Sequence, residues 1–306
     1  MTVTDSRTRD LLRRLEFDVE RRLTGLLQGQ FRGLVSGLGS EPGEARGYQA
    51  GDDVRRMDWN VTARLAEPYV RDTIADRELE TTAVVDLSPS LDFGTAVHRK
   101  ADLALALVAA VGLLTDRTGN RLGAVVCDGA NIVEHPARTG RRNRQLLLHR
   151  LMTHQVGTPS GNGLPQALQR LLSPTRRSGL AVVISDLLDP GWEEPLKAAT
   201  SRHDTIVFEL VDRRELTMPN VGVITLRDRT SGQLREINTG RRSVRERYRA
   251  AGIARLEANA ERVRQAGAEH LVLRTDDDWA LQLAKFIDRR KRQGHRRSLR
   301  SGVGAA

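Results

Sequence analysis

The sequence predicts an α/β protein: a doubly wound, mostly parallel six-stranded sheet, preceded by a small N-terminal helix and a β-rich extension. Three observations carry this. From about residue 79, short β-branched apolar runs alternate with longer Ala- and Leu-rich segments, the pattern of strand–helix–strand units. Two of those runs, 81–85 and 180–184, are followed by an Asp, at Asp86 and Asp186. Asp128-Gly129 then marks a tight turn that sends one strand back antiparallel at an edge.

The elements follow in order. Leu11, Leu12, Leu15, Val19, Leu23, Leu26 and Leu27 recur at three- and four-residue spacing, so 7–28 is an amphipathic helix. Glycines at 29, 33, 37, 39, 43 and 47 forbid a long regular element there. Residues 68–74 alternate as a strand. Residues 81–85, 121–127, 180–184, 204–211 and 270–273 are sheet strands, and 131–135 is the antiparallel return. Segments 100–115, 141–152, 164–172, 193–202, 242–265 and 279–290 are helices, with Tyr248, Ile253, Leu256 and Val263 on the apolar side of the longest. Residues 221–227 and 234–238 form a separate hairpin. The resulting division is 1–78 for the N-terminal extension, 79–288 for the α/β domain and 289–306 for a basic, disordered tail.

Composition narrows the function classes. The chain has 306 residues, 39% of them hydrophobic and 29% charged, enough for a real core. Only 4% are aromatic, which argues against stacking platforms for single-stranded nucleic acid. The single Cys127 excludes a disulfide framework and a cysteine-based zinc site. Neither a secretory h-region nor an apolar stretch of spanning length is visible, so a cytoplasmic location is expected. Net charge is +10, but seven Lys/Arg lie beyond residue 288, so the body carries only +3. The basic tail is either a solvated terminus or an attachment point for nucleic acid or an acidic partner. HExxH, GxxxxGK[ST] and GxGxxG motifs are all absent, so zinc-protease chemistry and ATP hydrolysis are not expected.

Asp86-Leu87-Ser88-Pro89-Ser90 is the most informative stretch. In open α/β sheets ligands bind outside the carboxyl ends of the strands. One carboxylate and two hydroxyls at that edge form an oxygen-only set suited to a hard divalent cation. The competing reading of the triplet alone is a turn in which Asp and Ser bond local backbone N–H groups. Asp186 converges on the same place if its strand lies beside the first, and the loop 157–168 offers Asn162 or Thr158 as a further ligand.

This DxSxS triplet with a later strand-terminal Asp resembles the metal-ion-dependent adhesion site of von Willebrand factor type A domains. The resemblance implies a metal held by Asp86, Ser88, Ser90, Asn162 and Asp186, with one position open to a partner's carboxylate. Asn162 stands where those domains place a Thr. A second resemblance is more specific. Tyr48, Gly51-Asp52-Asp53, Arg55, Asp58-Trp59 and Ala63-Arg64, followed by the triplet, are similar to the signature of the bacterial domain of unknown function 58 family. That resemblance implies work with a MoxR-type AAA+ ATPase in chaperone-like or complex-maturation roles. The charged signature itself reads as an ion-pair network closing the N-terminal region onto the α/β domain, with a docking surface as the alternative, and Trp59 reads as a core anchor.

The expected function is therefore a noncatalytic, Mg²⁺- or Mn²⁺-dependent interaction module, Ca²⁺ remaining open as the ion. Its partners are a MoxR-type AAA+ ATPase and a client offering an acidic residue. Two other classes stay open: a metal-dependent hydrolase using the same Asp/Ser site, and binding of nucleic acid or an acidic partner through the basic tail.

Overall fold

The computed structural model describes residues 3–26, 45–48, 57, 59–65, 67–71, 80–95, 98–117, 119–129, 131–154, 162–227 and 233–301. Most of the charged signature, namely 51–56 and Asp58, lies outside these residues, as do Thr158 and most of the Gly-rich stretch.

The central sheet grows outward from β3 (Glu80–Asp86), whose last six residues are buried. Helix α3 (Lys100–Arg117) crosses to β4 (Arg121–Cys127), which lies parallel to β3. Strand β5 (Ile132–Arg138) returns antiparallel along β4 and ends the sheet on that side. Its half-exposed residues fit an edge position. After α4 (Arg141–Met152) and α5 (Gly163–Gln169), the chain comes back to the other side of β3 as β6 (Leu180–Ser185). Helix α6 (Glu193–Thr200) leads to β7 (Asp204–Val211) beside β6, and β10 (Glu269–Arg274) closes the far edge. The spatial order is β10-β7-β6-β3-β4-β5, all parallel except β5. The direction of travel reverses between β3 and β6, so the crevice at their carboxyl ends is the topological switch point.

Alternate residues of each strand feed two cores. One face, with Ala83, Val85, Val126, Ile184 and Phe208, packs against α3, α4, α9 (Trp279–Ser301) and α1 (Val3–Leu26). The other, with Val84, Val125, Val183 and Val207, packs against α5, α6 and the end of α8 (Arg242–Gln265). Gly179, just before β6, sits against the start of β3. A Cβ there would clash with the Glu80 carbonyl oxygen. Gly179→Ala is expected to cost about 1–3 kcal/mol, the usual overpacking penalty, read as a lowered unfolding midpoint.

Outside the main sheet, β1 (Ala45–Gly47) pairs with β2 (Tyr69–Arg71), and α2 (Trp59–Leu65) lies between them in sequence. Strands β8 (Val223–Arg227) and β9 (Leu234–Asn238) form the expected hairpin, preceded by the four-residue α7 (Arg213–Leu216).

Three expectations change. Helix α1 belongs to the α/β core: Leu12, Val19 and Leu23 are buried in it, and Glu16 accepts from Arg144 Nε on α4 at 3.2 Å. Trp59 is 70% exposed at the start of α2, so it is no core anchor. Its immediate sequence neighbours, Asp58 and Asn60, are polar. The segment from Arg289 onward starts inside a helix that runs to Ser301. Arg290 lies four residues after the buried Phe286, on the same face, and is itself buried, paired with Asp204 and Glu269 at the starts of β7 and β10.

Candidate functional site

Four parallel strands present a carboxylate at the same edge: Asp128 after β4, Asp86 on β3, Asp186 after β6 and Asp212 after β7. All four are buried. Each apolar run drives its strand into the sheet and delivers its terminal Asp to the rim. What distinguishes them is how each charge is satisfied.

Asp86 is 2% exposed. Its Oδ1 accepts from the Ser88 N–H at 2.9 Å, and its Oδ2 from the Ser185 hydroxyl at 2.7 Å. No cation pairs with it among the described residues. Burial, and then the charge of Asp186, push its pKa from 3.8 up to about 7; the bonds from Ser88 and Ser185 pull the other way. After the strand, Ser88 leads into a short 3₁₀ turn, Pro89–Leu91, with Pro89 at its first position. Ser88 makes no side-chain cap. That turn lets the Ser88 and Ser90 hydroxyls hydrogen-bond each other, Oγ to Oγ at 3.0 Å.

Asp186 is buried and faces a cation absent from the expectation. Lys100, the first residue of α3, is 0% exposed, and its Nζ donates to Asp186 Oδ2 at 2.7 Å and to Glu215 Oε1 at 2.6 Å. Burial alone would lower the Lys100 pKa, but the charges of Asp186 and Glu215 outweigh it and raise it. The Asp186 backbone turn is tight: Leu187 has φ 53°, the left-handed region that a β-carbon disfavours. Leu187 N–H donates to Ser185 Oγ at 3.0 Å and Leu188 N–H to Asp186 Oδ1 at 3.3 Å, which hold that turn. Asp189, in the same loop, accepts from Leu164 N–H at 3.0 Å and so anchors the start of α5.

Asp212 is fully satisfied. It accepts from Thr95 N–H and hydroxyl (2.9 and 2.6 Å), from Thr275 (2.7 Å) and from Arg214 N–H (2.8 Å). Those bonds outweigh burial and lower its pKa. Asp128 takes Asn131 N–H at 2.8 Å and His154 Nε2 at 3.1 Å.

The structure thus brings together Asp86, Ser88 and Ser90, and sets the Asp186 charge beside them. Asn162 stands exposed at the N-cap of α5 without a side-chain cap bond, and no hydrogen bond joins it to the cluster. It precedes Gly163, where an added Cβ would come within 3.3 Å of the Cys127 Cβ, so the loop end sits over β4, next to β3. Cys127 is buried as expected, and burial raises its thiol pKa well above the ordinary value. Lys100, Ser185 and Glu215 were missed. Ser185 carried a signal, since it directly precedes Asp186. Lys100 and Glu215 carried none, being partners across 115 residues.

The donor set suits a hard cation. Mg²⁺ binds oxygens at about 2.0–2.1 Å in an octahedron, so adjacent ligands stand about 3 Å apart; the two serine oxygens have that spacing. Asp86 keeps lone pairs beyond its two accepted bonds. Among the described residues no group of three His, Cys, Asp or Glu is placed to hold a metal. Among those residues, too, no helix is long and apolar enough to cross a membrane.

Relatives share this chain nearly end to end. It is 45% identical over 292 residues to an uncharacterized protein of Mycobacterium tuberculosis, covering 95% of this chain and 92% of the relative. The same figures hold for an uncharacterized protein of Mycobacterium bovis. Among solved structures, it is similar to the conserved hypothetical protein BatB from Bacteroides thetaiotaomicron, at a TM-score of 0.44 and 16% identity, covering 70% of this chain and 99% of that one. The family model described as "Protein of unknown function DUF58" matches residues 44–258, well over half of the chain, and the protein belongs to that family.

Proposed function

We propose that this protein is a noncatalytic interaction module of von Willebrand factor type A-like fold, which grips a partner's carboxylate through a divalent cation. Asp86, Ser88 and Ser90 hold the ion directly. Asp186 contributes charge, its Oδ2 being engaged by Lys100. Asn162 is the loop residue available to complete the set. The observation that carries this reading is the 3.0 Å spacing of the Ser88 and Ser90 hydroxyls beside a buried carboxylate that no cation pairs among the described residues. A cation there supplies the missing charge and leaves an open position for an acidic ligand, as open metal sites do elsewhere. The partner is a MoxR-type AAA+ ATPase or its client, by the family resemblance, and Mg²⁺ or Mn²⁺ is the ion. A soluble, cytoplasmic setting suits that partnership.

The test is binding of the purified MoxR-type ATPase from the same organism in millimolar Mg²⁺ and in EDTA. Chelation and Ser88→Ala/Ser90→Ala are each expected to weaken binding at least about tenfold, 1.4 kcal/mol. Binding that is equal in all three conditions contradicts the proposal.

A further inference from the structure

Between α7 and α8 lies a cleft of about 390 Å³ lined by Arg213, Leu216, Thr217, Arg249, Ile253 and Arg274. Its floor is apolar because α7 covers only part of the α8 stripe. At Gly252 the helices touch: an added Cβ would stand 2.8 Å from the Glu215 carbonyl oxygen. Tyr248 OH donates to Arg214 O at 2.9 Å and fixes the same contact. The next position, Ile253, falls beyond the covered strip and is 40% exposed, although its spacing placed it on the apolar side. Arg249 is one turn from Ile253 on the same helix face.

The rim is cationic. Arg274 is engaged by Asp276 at 3.1 and 3.0 Å, whereas Arg213 and Arg249 have no ion-pair partner among the described residues. Free guanidiniums bind carboxylates bidentately, and an aliphatic floor accepts one apolar side chain. The lining has no aromatic ring on which a base could stack, and a concave cleft does not present apolar groups to a lipid surface.

We infer that this cleft docks an acidic peptide segment of a partner protein, with one apolar side chain on Leu216 and Ile253 and its flanking carboxylates on Arg213 and Arg249. The site lies beside the carboxyl edge, because α7 gives Glu215 to Lys100 and the next residue, Leu216, to the floor. Docking here needs no metal, so the inference stands apart from the metal-site reading.

The experiment is fluorescence anisotropy of labelled peptides on the full chain in EDTA. The probes are a short Asp/Glu peptide with one central Leu, the same peptide with Ser for Leu, and one with Lys for the acids. The Leu peptide is expected to bind, the Ser peptide at least about tenfold more weakly, and the Lys peptide not detectably. Arg213→Glu with Arg249→Glu is expected to weaken the Leu peptide at least about tenfold, with an unchanged thermal melt because both arginines are exposed. Ile253→Ser weakens it several-fold, while Asp86→Ala, in the same EDTA buffer, leaves it unchanged. Equal binding of the Leu and Ser peptides, or indifference to the arginine reversals, overturns the inference. So does capture of anionic vesicles or an oligonucleotide by those arginines with no peptide bound. Loss of peptide binding in Asp86→Ala overturns it too, but leaves the metal site standing.

Discussion

Lys100→Met is expected to lower the unfolding free energy by about 3–5 kcal/mol, the cost of leaving buried charges without their partner. Lys100 is fully buried, and both its carboxylate partners are within 2.7 Å. Its removal strands Asp186, 2% exposed. Glu215, whose side chain is 14% exposed, keeps a weaker ion pair with Arg255 Nη2 at 3.6 Å. A lysine in the first turn of a helix also works against the helix dipole, so its placement there reflects the two carboxylates. The triple variant Lys100→Met/Asp186→Asn/Glu215→Gln is expected to recover most of the loss, since a neutralised network carries no buried unpaired charge. Urea unfolding of the two variants beside wild type reads both effects. A single variant as stable as wild type would show that the three groups are not coupled.

Asp86→Asn is expected to stabilise the metal-free protein at pH 8. Asn preserves the shape and can still accept from Ser88 N–H. What it removes is a carboxylate whose pKa is about 7 in the folded chain against 3.8 unfolded. Between those values the folded state holds a proton that the unfolded state has released, so stability falls as pH rises. The contribution is at its most favourable below about pH 4 and is fully lost above about pH 7. The difference of about three pKa units corresponds to about 4 kcal/mol, so the variant should exceed wild type by that order at pH 8 and match it near pH 4. Mg²⁺ acts in the opposite sense on wild type alone. By binding only the folded, ionised site it should raise the wild-type melt at pH 8 and leave Asp86→Asn unmoved.

The sheet was legible because its strands are short apolar runs, such as Thr81 to Val85, that no amphipathic helix would contain. The convergence of Asp86 with Asp186 was legible only on the condition that β3 and β6 pair, and the structure supplies that pairing. Asp212 was equally legible in principle: it ends the run Thr205 to Val211 as Asp86 ends its own. It was passed over because no hydroxyl triplet follows it. Lys100 was not legible, since its first-turn position looks like any solvated lysine until β6 and α7 are placed around it. The same holds for Arg290, which belongs to a run of basic residues and is buried only because β7 and β10 bring Asp204 and Glu269 to it. Ile253 shows the converse limit. Periodicity assigns a face to the helix, but only the position of α7 decides how much of that face is covered.

The central claim is that Asp86, Ser88 and Ser90 hold one divalent cation at the crevice between β3 and β6. Its most direct test is a Mn²⁺ titration at pH 8, followed by the electron paramagnetic resonance signal of the free ion, on wild type and on Ser88→Ala/Ser90→Ala. The account predicts one site per chain in wild type and affinity at least about tenfold lower in the double variant. No Mn²⁺ bound by wild type, or equal affinity in the two proteins, would contradict it.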